Sequence, residues 1–258
     1  AMNAGNVIGS ATVAAIFFAG IGWFGIADKV VLYNIVWVLI CLLLFVSFLC
    51  TLFCKVDVKD VKRPRLYYNR KYGKFYVLEL FYGARKQIFI TFAPYVLILN
   101  YGMDTTTMAL LVGVCALVNI FCAPLIGKLT DRIGYRNIMI FDTVILFFVC
   151  ITYGYANRMF TYSVAYAVVC VNFLLDAVIS TTSMATSMYV RDISDSAEEV
   201  TATLTTGISI NHLISILAAL AGGWVWQKFG VGVLFSFSAV MALANSAFAM
   251  LIPRKQET

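Results

Sequence analysis

The chain has 258 residues, of which 62% are hydrophobic and 12% charged, with a mean hydropathy of +0.88 and a formal net charge of +6. A soluble globular domain carries about 25% charged residues, so the composition excludes one and describes a chain solvated mainly by lipid. The positive charge is confined to a few loops, and that distribution speaks against a nucleic-acid partner.

A membrane-spanning helix needs about 20 mostly apolar residues. Eight segments qualify: 5–27, 30–54, 76–102, 105–126, 138–156, 161–189, 200–226 and 231–252. Only helices and closed barrels satisfy the backbone in lipid. These runs are too long and too continuously apolar for barrel strands, which alternate every second residue. The expected fold class is all-α, a polytopic helical membrane protein with eight transmembrane helices. Cysteines 41, 50, 54, 115, 122, 150 and 170 all lie in or at the end of apolar segments, and are read as reduced packing thiols.

The first span carries Gly5 and Gly9, and ends in the cluster Ala19, Gly20, Gly22, Trp23, Phe24 and Gly25. Between the second and third spans lies the one long polar connection, 55–74, with Lys55, Lys59, Lys62, Arg63, Arg65, Arg70, Lys71 and Lys74. Lys128, Arg132, Arg136, Arg191, Arg254 and Lys255 fall on the same side of the eight-span arrangement, whereas only Lys29, Arg158 and Lys228 fall on the other. The excess places that side in the cytoplasm together with both ends of the chain. The basic loop reads first as a topology-setting linker, and second as a patch for anionic lipid.

The third span begins with Glu79, Arg85 and Lys86, followed by Gln87, Thr91 and Pro94. Glu79 and Lys86 share a helical face. The two cations either snorkel to the inner surface or wall a cavity, which would imply an anionic substrate or a carboxylate partner. Pro94 is expected to loosen the helix at mid-depth.

Residues 127–136 form a short charged stretch between two long apolar segments. They read as a compact cytoplasmic turn bounded by Gly127 and Gly134. Asp131, with Arg132 and Arg136, is the candidate for a latch made against a neighbouring helix N-terminus. The stretch Ser196 to Glu199, with a capping-box pattern, supplies such an N-terminus at the start of the seventh span. The alternative is a static topogenic turn.

Charged residues inside a span are costly and face a partner or a cavity. Asp176 lies on a stripe with Asn172, Ser180, Ser183 and Ser187 in the sixth span. That stripe reads either as a proton or substrate site or as a hydrogen-bonded helix seam. His212, the single histidine, joins Thr205, Ser209 and Ser215 with Asn211 beside it, and is open between a proton relay and packing. Asp142 in the fifth span is expected to pair with a loop arginine. Asn119 and Asn245 are read as polar glue between helices.

The 127–136 stretch resembles the cytoplasmic signature loop of the major facilitator superfamily, in which a glycine is followed by an Asp, a basic residue, a second glycine and further basic residues. Gly127, Asp131, Arg132, Gly134 and Arg136 match, while Tyr135 stands where a basic residue is usual. Span count and loop charge then make the chain look like helices five to twelve of a twelve-helix transporter, with helices one to four absent. The resemblance implies that 1–54 are the last two helices of the N-terminal bundle, 55–74 the inter-bundle loop and 75–258 the C-terminal six-helix bundle. The residues themselves also echo between the first span and the seventh, Gly5 and the Gly20 cluster against Gly207 and the Gly222, Gly223 and Trp224 cluster. The echo reads either as an internal repeat or as the interfacial Trp and packing Gly common to membrane helices. The superfamily's antiporter signature in helix five is only half present, since Ser10 stands where a proline is expected, so export by antiport is unsupported.

The resulting expectation is a secondary active transporter of the plasma membrane, in a bacterium the inner membrane. It would move a small solute by alternating access with a proton or cation gradient. Its partners would be that solute, lipid and the N-terminal helices. The candidate cavity residues are Asp176, His212, Asn172, Ser209, Glu79, Arg85 and Lys86. A membrane scaffold or receptor-like relative that no longer transports is the alternative. No phosphate-binding loop, metal-ligand spacing or nucleophile setting is present in the sequence, so neither a cofactor nor enzyme chemistry is expected.

Overall fold

The computed structural model describes residues 2–54 and 67–253. Within the basic loop and the tail, Lys55, Lys59, Lys62, Arg63, Arg65, Arg254 and Lys255 lie outside the described residues. The described chain is helical with no strand. Its helices are α1 (Met2–Gly22), α2 (Lys29–Phe53), α3 (Gly73–Tyr101), α4 (Thr105–Ile133), α5 (Tyr135–Met159), α6 (Tyr162–Ser180), α7 (Met184–Ile193), α8 (Ala197–Phe229) and α9 (Val231–Met250). Two compact units are formed, one from Ala1–Arg63 with Asp104–Val114 and the other from Pro64–Met103 with Cys115–Thr258.

Seven segments are long and apolar enough to cross a membrane: α1, α2, α4, α5, the α6–α7 pair, α8 and α9. The eighth expected span, 76–102, corresponds to α3. It is long enough at 29 residues, but Lys74, Glu79, Arg85 and Lys86 take it out of the apolar class. Arg85 is buried and Glu79 and Lys86 are half-buried, whereas Lys74 at the start of the helix is exposed, and many other residues of α3 are buried.

In the first unit, Asp28 caps α2 by accepting from the Val30 amide at 2.8 Å. Leu32 is the buried residue of α2 and packs into the space left by Gly20 of α1. Phe17 meets Tyr33 edge-on at 5.0 Å between ring centres. The Tyr33 and Thr105 hydroxyls share a hydrogen bond of 2.6 Å.

In the second unit α3 lies against α8 and α9, and α5 lies against α9 and α6. Small residues allow the close approaches, as expected where lipid gives no hydrophobic drive between helices. A Cβ on Gly154 of α5 would stand 2.9 Å from Phe235 of α9, and one on Gly232 of α9 would stand 2.9 Å from the Tyr155 ring. Phe89, Tyr153 and Phe235 meet at ring distances of 5.4, 5.2 and 4.8 Å, each such pair adding about 0.5–1.5 kcal/mol beyond burial. The Tyr153 hydroxyl donates to the Ala93 carbonyl at 2.7 Å. The α3 helix continues unbroken across Pro94, so the expected loosening is not a break.

Three expectations are corrected here. The turn is not 127–136: α4 runs on to Ile133, α5 starts at Tyr135, and the reversal is Gly134 alone, at φ +83° and ψ 150°. That backbone region is essentially open to glycine only. Gly127 is a helical residue with open space where a Cβ would stand. The sixth span is not one helix, because Thr181–Ser183 form a 3-10 turn between α6 and α7. The side-chain oxygens of Asn119 and Asn245 are buried, and neither makes a hydrogen bond to another helix among the described residues.

Candidate functional site

The 3-10 turn has a local cause. Ser180, Thr181, Thr182 and Ser183 are four consecutive hydroxyl residues, and such side chains compete for backbone carbonyls. Thr181 donates to the Val178 carbonyl at 2.7 Å, Thr182 to Ile179 at 2.6 Å and Ser183 to Ser180 at 2.9 Å. Each of these side-chain bonds reaches three residues back, and a run of them adds acceptor competition to the backbone there.

The buried charges of the second unit gather around this turn. Arg85 of α3 donates through Nη1 to Asp176 Oδ1 of α6 at 3.0 Å, with side-chain exposures of 3% and 15%. Its guanidinium also lies 5.0 Å from the centre of the Tyr82 ring, and the Tyr82 hydroxyl donates to the Ser180 carbonyl at 3.3 Å. Asp142 of α5 accepts from the Thr182 hydroxyl. The Asp142 Oδ1 and Arg85 Nε atoms are both buried without a hydrogen-bond partner among the described residues. Lys86 rests half-buried with its ammonium 5.7 Å from the centre of the Tyr82 ring.

Nearly two turns earlier on α3, Glu79 accepts from Asn211 Nδ2 of α8 at 3.0 Å and lies 3.5 Å from the Thr186 hydroxyl of α7. Ser215 of α8 donates to the Gly83 carbonyl at 3.2 Å. Gly83 makes this seam possible, since a Cβ there would meet the Asn211 carbonyl oxygen at 2.7 Å. The whole is one polar layer across α3, α5, α6, α7 and α8. It holds three carboxylates (Glu79, Asp142, Asp176) and two cations (Arg85, Lys86).

Of the residues singled out in the sequence, Asp176, Arg85, Glu79 and Lys86 therefore come together. Arg85 takes the carboxylate partner rather than snorkelling. Asn172 is buried elsewhere, donating to Thr152 of α5 at 2.7 Å. The stripe holds over Asn172, Asp176 and Ser180 within α6, but the 3-10 turn interrupts it before Ser187, and Asn172 and Asp176 have different partners. The α8 stripe also divides. Ser215 is buried with Asn211 against α3, whereas Thr205, Ser209 and His212 are exposed. His212 has no hydrogen bond or ion pair among the described residues. Asp142 does not pair with a loop arginine; its partner is Thr182. Thr182, Tyr82 and Gly83 were not singled out. The run of four hydroxyl residues was the signal available for the first, and nothing in the sequence marks the other two.

The signature residues behave differently. Asp131 and Arg132 are exposed at the end of α4, and Asp131 makes no hydrogen bond or ion pair among the described residues. Arg136 donates to the Met250 carbonyl at 2.7 Å and Lys74 to the Leu251 carbonyl at 2.6 Å. Both cations thereby cap the C-terminus of α9, where the helix dipole favours them. Tyr135, the departure from the pattern, donates to Asp192 at 3.1 Å. The α8 N-terminus is held by its own residues. Ser196 Oγ accepts from the Glu199 amide at 3.2 Å, and Glu199 accepts from the Asp195 amide at 3.1 Å and the Tyr67 hydroxyl at 2.9 Å. The capping box is therefore half made, its return bond shifted by one residue. Lys71 lies 2.7 Å from Asp195, and that hydrogen bond raises the lysine above its usual value.

A cavity of about 260 Å³ opens near the other ends of α3, α5 and α9, bounded by Asn100, Tyr155, Asn157, Arg158 and Gly232, and it includes none of the clustered charges. No group of three or more His, Cys, Asp or Glu side chains among the described residues could hold a metal ion.

The sequence model of the Major Facilitator Superfamily matches residues 1–206 and, in an overlapping placement, 75–258. No curated protein and no solved structure matches the chain.

Proposed function

Because this chain belongs to the Major Facilitator Superfamily, a superfamily of membrane transporters, we propose that it is part of a secondary active transporter that moves a small solute by alternating access, coupled to a proton or cation gradient. The observation that carries the reading is the buried layer around Arg85 and Asp176, with three carboxylates against two cations. Structural ion pairs alone need no excess carboxylate. A negative surplus inside the membrane is costly, and binding a proton or a cation relieves it.

The layer joins α3, α5, α8 and both sides of the 3-10 break, so a change of charge there acts on several helices at once. Residues 1–54 then belong to an N-terminal bundle, 55–74 to the inter-bundle loop and 75–258 to the C-terminal bundle, with the 134 turn in the cytoplasm. Asp131, Arg132 and Arg136 would form a latch in one transport state only. Arg136 already reaches a neighbouring helix end, and Asp131 is exposed and available.

The test is uptake and counterflow in proteoliposomes of the intact protein against a solute panel, with and without a pH gradient, beside Asp176→Asn. Exchange that survives in the variant while gradient-driven accumulation disappears is the expected result. Unchanged accumulation would remove the coupling role from this layer.

A further inference from the structure

We infer that Asp142 is the proton-carrying carboxylate of this layer, and that Thr182 turns its hydroxyl with the charge on Asp142 and so ties the proton to the 3-10 break. The inference rests on the proton-coupled reading above and deepens it.

The three carboxylates are not equally placed. Asp176 is held by the Arg85 guanidinium at 3.0 Å, and a proton arriving there would displace an ion pair. Glu79 is held by the Asn211 amide at 3.0 Å. Asp142 has a single hydroxyl donor, and its Oδ1 atom is buried with no partner among the described residues. A proton on Asp142 displaces no existing charge partner. The surrounding elements agree. The charged group acting on it is Arg85 of α3, whose ion-pair partner is Asp176 of α6, and the 3-10 turn offers only hydroxyls. The residues of α9 include no charged side chain, and the charges of α7, Arg191 and Asp192, lie at its far end.

Thr182 supplies the link to the helix. Its Oγ1 atom is 2.5 Å from Asp142 Oδ2 and 2.6 Å from the Ile179 carbonyl oxygen. A threonine hydroxyl has one hydrogen, so it cannot serve both acceptors fully. With Asp142 ionised, the hydrogen goes to the carboxylate and the Ile179 carbonyl loses its side-chain donor. With Asp142 protonated, the carboxylic O–H donates to Thr182 Oγ1, and Thr182 donates onward to Ile179. The proton then completes a hydrogen-bonded chain ending at the backbone of the break. Its departure reverses the chain, moving one proton from Asp142 and changing no covalent bond elsewhere.

The experiment is a pH-titrated infrared difference spectrum of the intact protein in detergent, paired with hydrogen–deuterium exchange over residues 180–184. A protonated-carboxyl stretching band that titrates should be present in the wild type and in Glu79→Gln. It should be absent in Asp142→Asn, moved to higher frequency in Thr182→Val, and returned close to its wild-type position in Thr182→Ser. Exchange at 180–184, corrected for intrinsic rate, should differ between the two charge states in the wild type and lose that difference in Thr182→Val. Survival of the band in Asp142→Asn overturns the assignment, and a Thr182→Val spectrum and exchange pattern identical to wild type overturns the link. A band belonging to Asp142 in a protein whose solute flux ignores the pH gradient keeps the assignment and removes the coupled-transport reading, so the two failures are told apart.

Discussion

Gly83→Ala is the sharpest test of the α3–α8 seam. A Cβ at position 83 would lie 2.7 Å from the Asn211 carbonyl oxygen and 3.1 Å from both Asn211 Cα and Cγ. Two of these atoms are backbone, so no rotamer change relieves the contact. Ordinary contact begins at 3.4 Å, and α8 would have to retreat by about 0.7 Å. That retreat stretches the Ser215 bond to the Gly83 carbonyl, now 3.2 Å, and the Asn211 bond to Glu79, now 3.0 Å. Overpacking costs about 1–3 kcal/mol and each weakened hydrogen bond about 1 kcal/mol, while replacing a helical glycine by alanine returns about 1 kcal/mol. The net expectation is a loss of about 2–4 kcal/mol. Gly127→Ala is the matched control, because open space surrounds that position and only the propensity gain applies. Thermal unfolding of the purified protein in detergent, followed by helical circular dichroism, reads both. A Gly83→Ala protein as stable as Gly127→Ala would refute the close approach on which the seam depends.

Arg85→Ala should cost about 3–5 kcal/mol, because it leaves Asp176 buried without its cation. Adding Asp176→Ala should recover part of that loss in denaturant unfolding, and strictly additive losses would mean that the two side chains do not act as a pair. Gly134→Ala forces a side chain into φ +83° and should cost about 1–3 kcal/mol, seen as a lower unfolding midpoint. Asp104 accepts from the Thr107 hydroxyl at 2.6 Å and from the Thr106 and Thr107 amides, and these bonds hold its carboxyl below the usual range. Its contribution is therefore present above the ordinary aspartate value of about 3.9 and lost as pH falls through the lowered one. The stability gap between wild type and Asp104→Ala should be full at neutral pH and close on the acid side.

Helix existence was legible because each apolar run is long enough to span and has no other way to satisfy its backbone in lipid. The family was legible because Asp131, Arg132 and Gly134 sit in a short charged stretch between two such runs. The helix ends were less so. Gly127 reads as a turn residue, yet helix continues through Leu129 and Thr130 until Gly134 supplies a backbone angle that other residues avoid. The break at Thr181–Ser183 was hidden by hydropathy, since hydroxyl residues there look like one more stretch of a polar stripe. At two glycines the neighbour is visible only in the fold: a Cβ on Gly20 would run into Leu32, and one on Gly222 would stand 2.6 Å from the Phe92 ring.

Composition and the order of polar residues thus determined that this is a multi-pass helical membrane protein with charges inside its third and sixth spans. Asp176 and Arg85 were each conspicuous alone, because a charge in an apolar run is costly, although snorkelling for Arg85 and a helix seam for Asp176 stayed open in the sequence. Only the tertiary structure decided that they are partners, that Asp142 answers to Thr182, and that His212 and Ser209 are exposed. The reason is physical. A helical sequence shows which residues share a face, but the ion pair between α3 and α6 and the Asp142 bond to Thr182 depend on how those faces are rotated and spaced. That rotation and spacing are set by close contacts such as Gly83 against Asn211 and Gly154 against Phe235, which apolar periodicity does not encode.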